Sequence, residues 1–252
     1  MKKPFNPLRL LVVAVLTTSG IFAPAVQANA YSGQPDDDIG TMIVGGTPAT
    51  ENYSWLVYTG GCTGTLIKNN WVVTARHCST PTSVRIGSIN RTTGGHVRNV
   101  NGAVSHPTAD VKLLRLSTTT TFAPAPIPTV GHPVGTATRI IGWGLACPTR
   151  GCGSAPTIAR ELNTSVVADS RCLGINGPLE ICTNNTGGNQ GACYGDSGGP
   201  QVRRLTDSRW WVIGATSRSG NGSAVCATGP SIYSDLVAIR SWINTTVGGL
   251  PA

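Results

Sequence analysis

Hydrophobic positions in this chain come in short runs, each broken by turn-forming residues. Trp55 to Tyr58, Trp71 to Thr74, Arg139 to Ile141 and Trp210 to Thr216 are β-rich stretches separated by Gly, Asn, Thr and Pro clusters. Regular short strands with frequent turns predict a sandwich or barrel, and 32 Gly with 17 Pro supply the turns. The end differs: Leu236, Ile239, Trp242 and Ile243 recur at helical spacing. Ser234 is placed to cap that helix, with Asp235 near its positive end. The pattern predicts an all-β unit closed by one C-terminal helix. Residues 117–134, rich in Thr and Pro, read as a surface connection between two halves of it.

The start stands apart. Lys2, Lys3 and Arg9 precede the apolar run Leu10 to Leu16, and Ala28-Asn29-Ala30 offers small residues at a cleavage spacing. That order predicts a signal peptide over 1–30. As a membrane anchor the run is too short, broken from Thr17 to Gly20. Residues 31–42, with Asp36-Asp37-Asp38, read as a polar lead. The expected mature protein is secreted and extracellular, with no membrane association once the leader is removed.

Composition adds two constraints. There are eight cysteines: Cys62, Cys78, Cys147, Cys152, Cys172, Cys182, Cys193 and Cys226. An even number in an exported chain favours disulfides. A zinc site is the weaker reading, since no Cys-x-x-Cys occurs and no His lies near the closest pair. Lys plus Arg number 19 and Asp plus Glu 11, and residues 1–42 hold three of each, so the net charge stays +8 without them. The cations are scattered and form no basic stripe, which argues against nucleic acid as a partner.

The chemistry gathers in three places. Gly195-Asp196-Ser197-Gly198-Gly199-Pro200 sets a serine among glycines. Such a turn exposes a nucleophilic oxygen and offers the backbone N–H groups of Gly195 and Ser197 to an oxyanion. A serine needs a base, held by a third group. His77 ends the run Val72 to Cys78, on a rigid element beside a cysteine, whereas His96, His106 and His132 read as exposed structural histidines. Asp110 opens the apolar run to Leu116, where a carboxylate can be buried and still face an imidazole.

These motifs resemble the trypsin/chymotrypsin family of serine peptidases, in particular its small secreted bacterial members. Ile43-Val44-Gly45-Gly46, the His77, Asp110, Gly142-Trp143-Gly144 and Ser197 motifs follow one another in the family's order across residues 43–252. The resemblance implies two six-stranded antiparallel β-barrels with the active site between them. It implies an acyl-enzyme on Ser197, with His77 as base and Asp110 as its orienting carboxylate. It further implies that a cut before Ile43 frees an amine that pairs with Asp196. That cut follows Met42, which points to a metallopeptidase or to the enzyme itself as the activating peptidase. It implies the disulfides Cys62–Cys78, Cys172–Cys182 and Cys193–Cys226, leaving Cys147–Cys152.

In the family the residue six before the nucleophile, here Gly191, lies at the bottom of the specificity pocket. An Asp there selects Arg and Lys. Gly191 therefore implies an uncharged preference, and Ser217, Ser219 and Ser231 on the walls imply small to medium side chains. Arg218, Arg76 and Lys112 stand where the family usually has Trp or small residues. Two cations beside the triad are expected to favour ionised Asp110 and disfavour a charged His77, or else to point to solvent. Residues 85–109 contain no Asp or Glu, so no calcium site is expected. The expected partners are protein or peptide substrates and the activating peptidase. The expected molecule is a monomer without cofactor or metal. A non-catalytic binding protein on the same scaffold, and a related acyl-transfer enzyme such as an esterase, are the alternative readings.

Overall fold

The computed structural model describes Met1 and residues 43–251. The leader over 1–30 and the lead over 31–42 otherwise lie outside the described residues, so neither reading has a structural account. Thirteen strands and one helix follow in chain order. They are β1 (Thr47–Pro48), β2 (Leu56–Tyr58), β3 (Thr63–Lys68), β4 (Trp71–Thr74), β5 (Ser83–Ile86), β6 (His96–Ser105) and β7 (Lys112–Leu116). Next come β8 (Ala137–Gly142), β9 (Arg160–Ser165), β10 (Glu180–Thr183), β11 (Pro200–Arg204), β12 (Trp210–Ser219), β13 (Ser231–Asp235) and α1 (Arg240–Val247).

The first half is a closed barrel in the order β2-β3-β4-β7-β6-β5. Its centre is β3 and β4, whose Val, Ile, Leu and Trp side chains are buried on both sides. Closure leaves this half no free strand edge. The second half is a seven-stranded sheet in the order β1-β9-β8-β11-β12-β13-β10. An isolated antiparallel bridge between Val166, just past β9, and Thr183, at the end of β10, ties opposite sides of that sheet. One apolar cluster runs through both halves, from Leu56, Leu66 and Leu113 to Trp143, Val202 and Ile243. A second, with Ile43, Ile140, Ile181, Ile213 and Tyr233, fills the second half.

Two expectations are corrected. Ser234 and Asp235 do not begin the helix. They belong to β13, paired with Glu180 of β10 and with Ala215 and Gly214 of β12. Sheet hydrogen bonds on both sides outweigh the local preference of a Ser-Asp pair for a cap. Asp235 Oδ1 instead accepts from the N–H groups of Val237 and Ala238, at 2.8 and 3.0 Å, and α1 starts only at Arg240. Its αL end at Gly248, φ 67°, is the left-handed stop that glycine permits. The connection over 117–134 is likewise more than a surface strap. Ala125 and Ile127 are buried, and the segment bonds to both halves through Ala125 N to Leu66 O and Val212 N to Pro126 O.

All four disulfides join the expected partners: Cys62–Cys78, Cys147–Cys152, Cys172–Cys182 and Cys193–Cys226. Two of these brace segments that carry chemistry: Cys193–Cys226 just before the serine turn, and Cys62–Cys78 at the residue after His77.

Candidate active site

β4 and β7 run antiparallel, with Thr74 opposite Lys112. The chain leaving β4 and the chain entering β7 therefore emerge at the same edge. His77 is three residues beyond Thr74, and Asp110 two before Lys112. The pairing alone brings them together. His77 Nδ1 lies 2.7 Å from Asp110 Oδ2, and the His77 backbone N–H donates to Oδ1 at 3.0 Å. An ionised carboxylate has no proton to give, so the Nδ1 proton is the one shared and Nε2 is left as an acceptor. The Asp110 side chain is 18 % exposed and that of His77 47 %, so the ring reaches solvent far more than its anchor does.

Asp110 has a further partner. Ser217 Oγ donates to Oδ2 at 2.8 Å. Burial works against the Asp110 charge, but the His77 and Ser217 hydrogen bonds outweigh it and hold the carboxyl below its ordinary range. Ser217 entered as a pocket wall; its hydroxyl was missed as a support of the carboxylate, because the two are 107 residues apart and no local pattern joins them.

The serine turn is positioned from the other half. Gly198 N donates to Thr216 O, and Thr216 N to Gly199 O, which extends the β11–β12 ladder into the turn. Thr63 of the first barrel completes the clamp: its N–H reaches Ser197 O at 2.9 Å, and its Oγ1 reaches Gly195 O at 3.0 Å. Gly195 has φ +106°, and a Cβ there would press on Gly144 Cα at 3.0 Å. Among the described residues neither the Gly195 nor the Ser197 N–H donates to a protein acceptor. Ser197, Gly195 and His77 line one open cleft of about 330 Å³.

Asp196, 2 % exposed, faces away from that cleft. Its carboxylate accepts from Gly144 N at 2.8 Å and Cys193 N at 2.9 Å. Burial raises its pKa to about 6 despite these two donors. A Cβ on Gly142 or Gly144 would overlap the same carboxylate, which is the physical reason for a Gly-Trp-Gly sequence here. Ile43 is fully buried in the core of the second half, and Val44 bridges to Gly191, whose N–H donates to Val44 O at 2.9 Å.

A smaller pocket of about 110 Å³ adjoins Ser197. Thr216, Ser217, Arg218, Ser219, Ala227 and Ser231 are among the residues around it, and no carboxylate lines it. Gly191 is not on its open surface but one layer behind: a Cβ there would sit 3.7 Å from Ser231 Oγ and 3.8 Å from Ala227 Cβ. The Arg218 guanidinium turns to Glu180, with bonds of 2.6 and 2.9 Å, and to Gly174 O at 2.9 Å.

For Arg76 and Lys112 the expected action on Asp110 is corrected, while exposed Arg76 agrees with the reading that turns it to solvent. Neither touches Asp110. Exposed Arg76 donates to the carbonyls of His106 and Pro107. Lys112 is buried and donates to Cys78 O at 2.5 Å and Thr80 Oγ1 at 3.3 Å, fastening the turn just after His77. The cation that does feel Asp110 is Arg218. The other histidines are also not free on the surface. His132 Nε2 lies 3.0 Å from Asp235 Oδ2, with both side chains 13 % exposed. Burial opposes its charge, yet Asp235 outweighs that and raises its pKa. His106 packs edge-on against Trp242 and accepts the Ala109 N–H at 2.9 Å. His96 lies 2.9 Å from Thr120 Oγ1.

Comparison with known proteins agrees with this geometry. The family model described as Trypsin matches residues 43–243. The chain is 31 % identical over 210 residues to Trypsin 5G1 of Aedes aegypti, covering 74 % of this chain and 75 % of that protein. It is 29 % identical to Trypsin of Sus scrofa over 240 residues, covering 84 % and 98 %. To Trypsin alpha of Drosophila melanogaster it is 28 % identical over 237 residues, covering 82 % and 88 %.

Proposed function

The chain belongs to the trypsin family of serine peptidases, and from that premise we propose that it is an endopeptidase acting through Ser197, His77 and Asp110. The observation that carries the reading is the doubly held Asp110 carboxylate, bonded to His77 on the cleft that Ser197 lines. Asp110 orients the imidazole. His77 Nε2 takes the Ser197 proton as Oγ attacks the substrate carbonyl. The oxyanion forms against the N–H groups of Gly195 and Ser197. The same proton then passes from His77 to the departing amine, and water opens the acyl-enzyme by the reverse sequence.

The small pocket receives the side chain before the cut bond. Gly191 behind it supplies no charge, so a buried Arg or Lys would go unpaired at a large cost. Ser219 and Ser231 narrow the walls, which favours small to medium uncharged side chains. The seven-stranded sheet reads as the second barrel of the pair, β1 being the added strand and the Val166–Thr183 bridge its closure. In the same reading residues 1–30 direct secretion and 31–42 are an activation segment. Residues 43–252 are the peptidase domain, a monomer working without cofactor on extracellular proteins or peptides. Among the described residues no helix is long and apolar enough to cross a membrane. Cutting before Ile43 lets its amine turn to Asp196, already buried nearby in the same half.

A peptide-library digest with the chain cut before Ile43 tests the assignment. Cleavage is expected after uncharged small or medium residues, with a fluorophosphonate attached to Ser197. Preference for Arg or Lys would overturn the pocket reading, and an unlabelled chain the catalytic one. Ser217→Ala should lower kcat/KM about tenfold, since Asp110 then loses one charge-assisted hydrogen bond. An unchanged rate would mean that His77 alone holds the carboxylate.

A further inference from the structure

This inference rests on the peptidase reading and concerns the half of the substrate that departs. Ser197 and Tyr194 line both the small pocket and the wider cleft, so they mark the divide between them. His77 lines only the wider cleft. A base that hands its proton to the leaving amine must stand on the leaving side. The wider cleft is therefore where the segment after the cut bond lies.

That cleft contains Arg150 and no carboxylate. The Arg150 guanidinium carbon sits 3.9 Å from the centre of the Tyr194 ring. The ring is itself fixed, because Tyr194 Oη donates to Ala224 O at 2.7 Å. The loop carrying Arg150 is short and tied twice. Cys147–Cys152 closes it, and Cys226 N donates to Pro148 O at 2.8 Å. Arg150 is thus exposed yet held in place. Stacking occupies the face of the guanidinium and leaves its N–H edge free to donate.

Its place on the cleft, together with its unspent edge, singles it out. Arg218, on the other side of Ser197, is paired edge-on with Glu180. Arg76 is not on the cleft lining and donates through Nη1 to two carbonyls. Among the described residues no carboxylate pairs with Arg150. A planar fork without an anionic partner, set on a rigid aromatic base, matches a carboxylate. We propose that Arg150 on Tyr194 forms a carboxylate-binding subsite for the leaving segment, favouring substrates with Asp or Glu in the first two residues after the cut bond.

The test uses the chain cut before Ile43 and C-terminally amidated, fluorescence-quenched peptides. These share one cleavage sequence and carry Asp, Asn or Lys at the two positions after the bond. Fluorophosphonate titration counts the competent sites in each preparation. The Asp peptide is expected to exceed the Lys peptide about tenfold in kcat/KM, mainly through KM, with Asn between. The gap should shrink in 1 M salt, where the Debye length falls to about 3 Å. Arg150→Gln should reduce the gap to within about twofold, and Arg150→Glu should invert it, each read as a ratio within one preparation. Equal rates for the three peptides, or a preference that survives both substitutions, would overturn the subsite while leaving the peptidase reading intact. A chain that neither takes the fluorophosphonate nor cleaves any peptide would overturn both.

Discussion

Ser197→Ala is expected to lower kcat for peptide hydrolysis by about a millionfold, and Asp110→Asn by about ten-thousandfold. On the proposed mechanism the first removes the oxygen that would form the acyl-enzyme, so only binding and the two amide donors remain to assist attack by water. The second leaves every heavy atom in place and still fails. An Asn at 110 can turn its amide nitrogen toward His77 Nδ1, which then becomes the acceptor. The proton moves to Nε2, where Ser197 needs a lone pair. The His77 backbone N–H favours this orientation, because it donates at the Oδ1 position and holds the Asn oxygen there, while the Ser217 hydroxyl must turn from donor to acceptor. Steady-state kinetics on one peptide, with the competent sites of the Asn variant counted by fluorophosphonate, separate the two losses. An Asp110→Asn enzyme within tenfold of the native rate would remove the carboxylate from the mechanism.

The intact chain should lose stability as pH rises from about 4 to 6, and the chain cut before Ile43 should not. In the intact chain Asp196 is buried with two N–H donors and, among the described residues, no cation as a partner, and its pKa stands near 6 against an ordinary 3.8. A group whose folded pKa is raised stabilises fully below its unfolded value, and that contribution disappears as pH passes the folded value. The difference of about two pKa units corresponds to ~3 kcal/mol, enough to move a urea midpoint by roughly 1 M or more. After the cut, the Ile43 ammonium is expected to compensate the carboxylate, so that the proton is no longer needed. Urea unfolding of Ser197→Ala protein at several pH values, before and after cleavage, isolates the effect from all other carboxylates. Asp196→Asn in the intact chain should flatten the same slope. Parallel pH profiles in the two forms would rule out an Ile43–Asp196 pair.

Much of the site was legible along the chain. His77, Asp110 and the serine turn lie at the ends of β-rich runs, and a run can be recognised from its own residues. The Gly-Trp-Gly stretch was legible as a motif, but its reason was not. Only in the fold does Asp196 occupy the space that two missing side chains leave. Lys112 shows the opposite failure. Two residues from Asp110 in sequence, it was expected to act on that charge. Asp110, however, lies before β7 begins, where strand alternation does not apply, and Lys112, opposite Thr74 of β4, sends its ammonium to Cys78 and Thr80.

The residues alone determined the β character, the order of the motifs, the cysteine count and the uncharged residue at 191. These follow from periodicity, composition and chemistry that each short segment carries within itself. The tertiary structure decided that Ser217 supports Asp110, that Glu180 neutralises Arg218, that Arg150 stacks on Tyr194, and that Ser234 joins a strand instead of a helix. Each of these depends on which distant strand or loop lies alongside. The hydrogen bonds and charges that settle such choices come from partners tens of residues away, and no local pattern encodes their arrival.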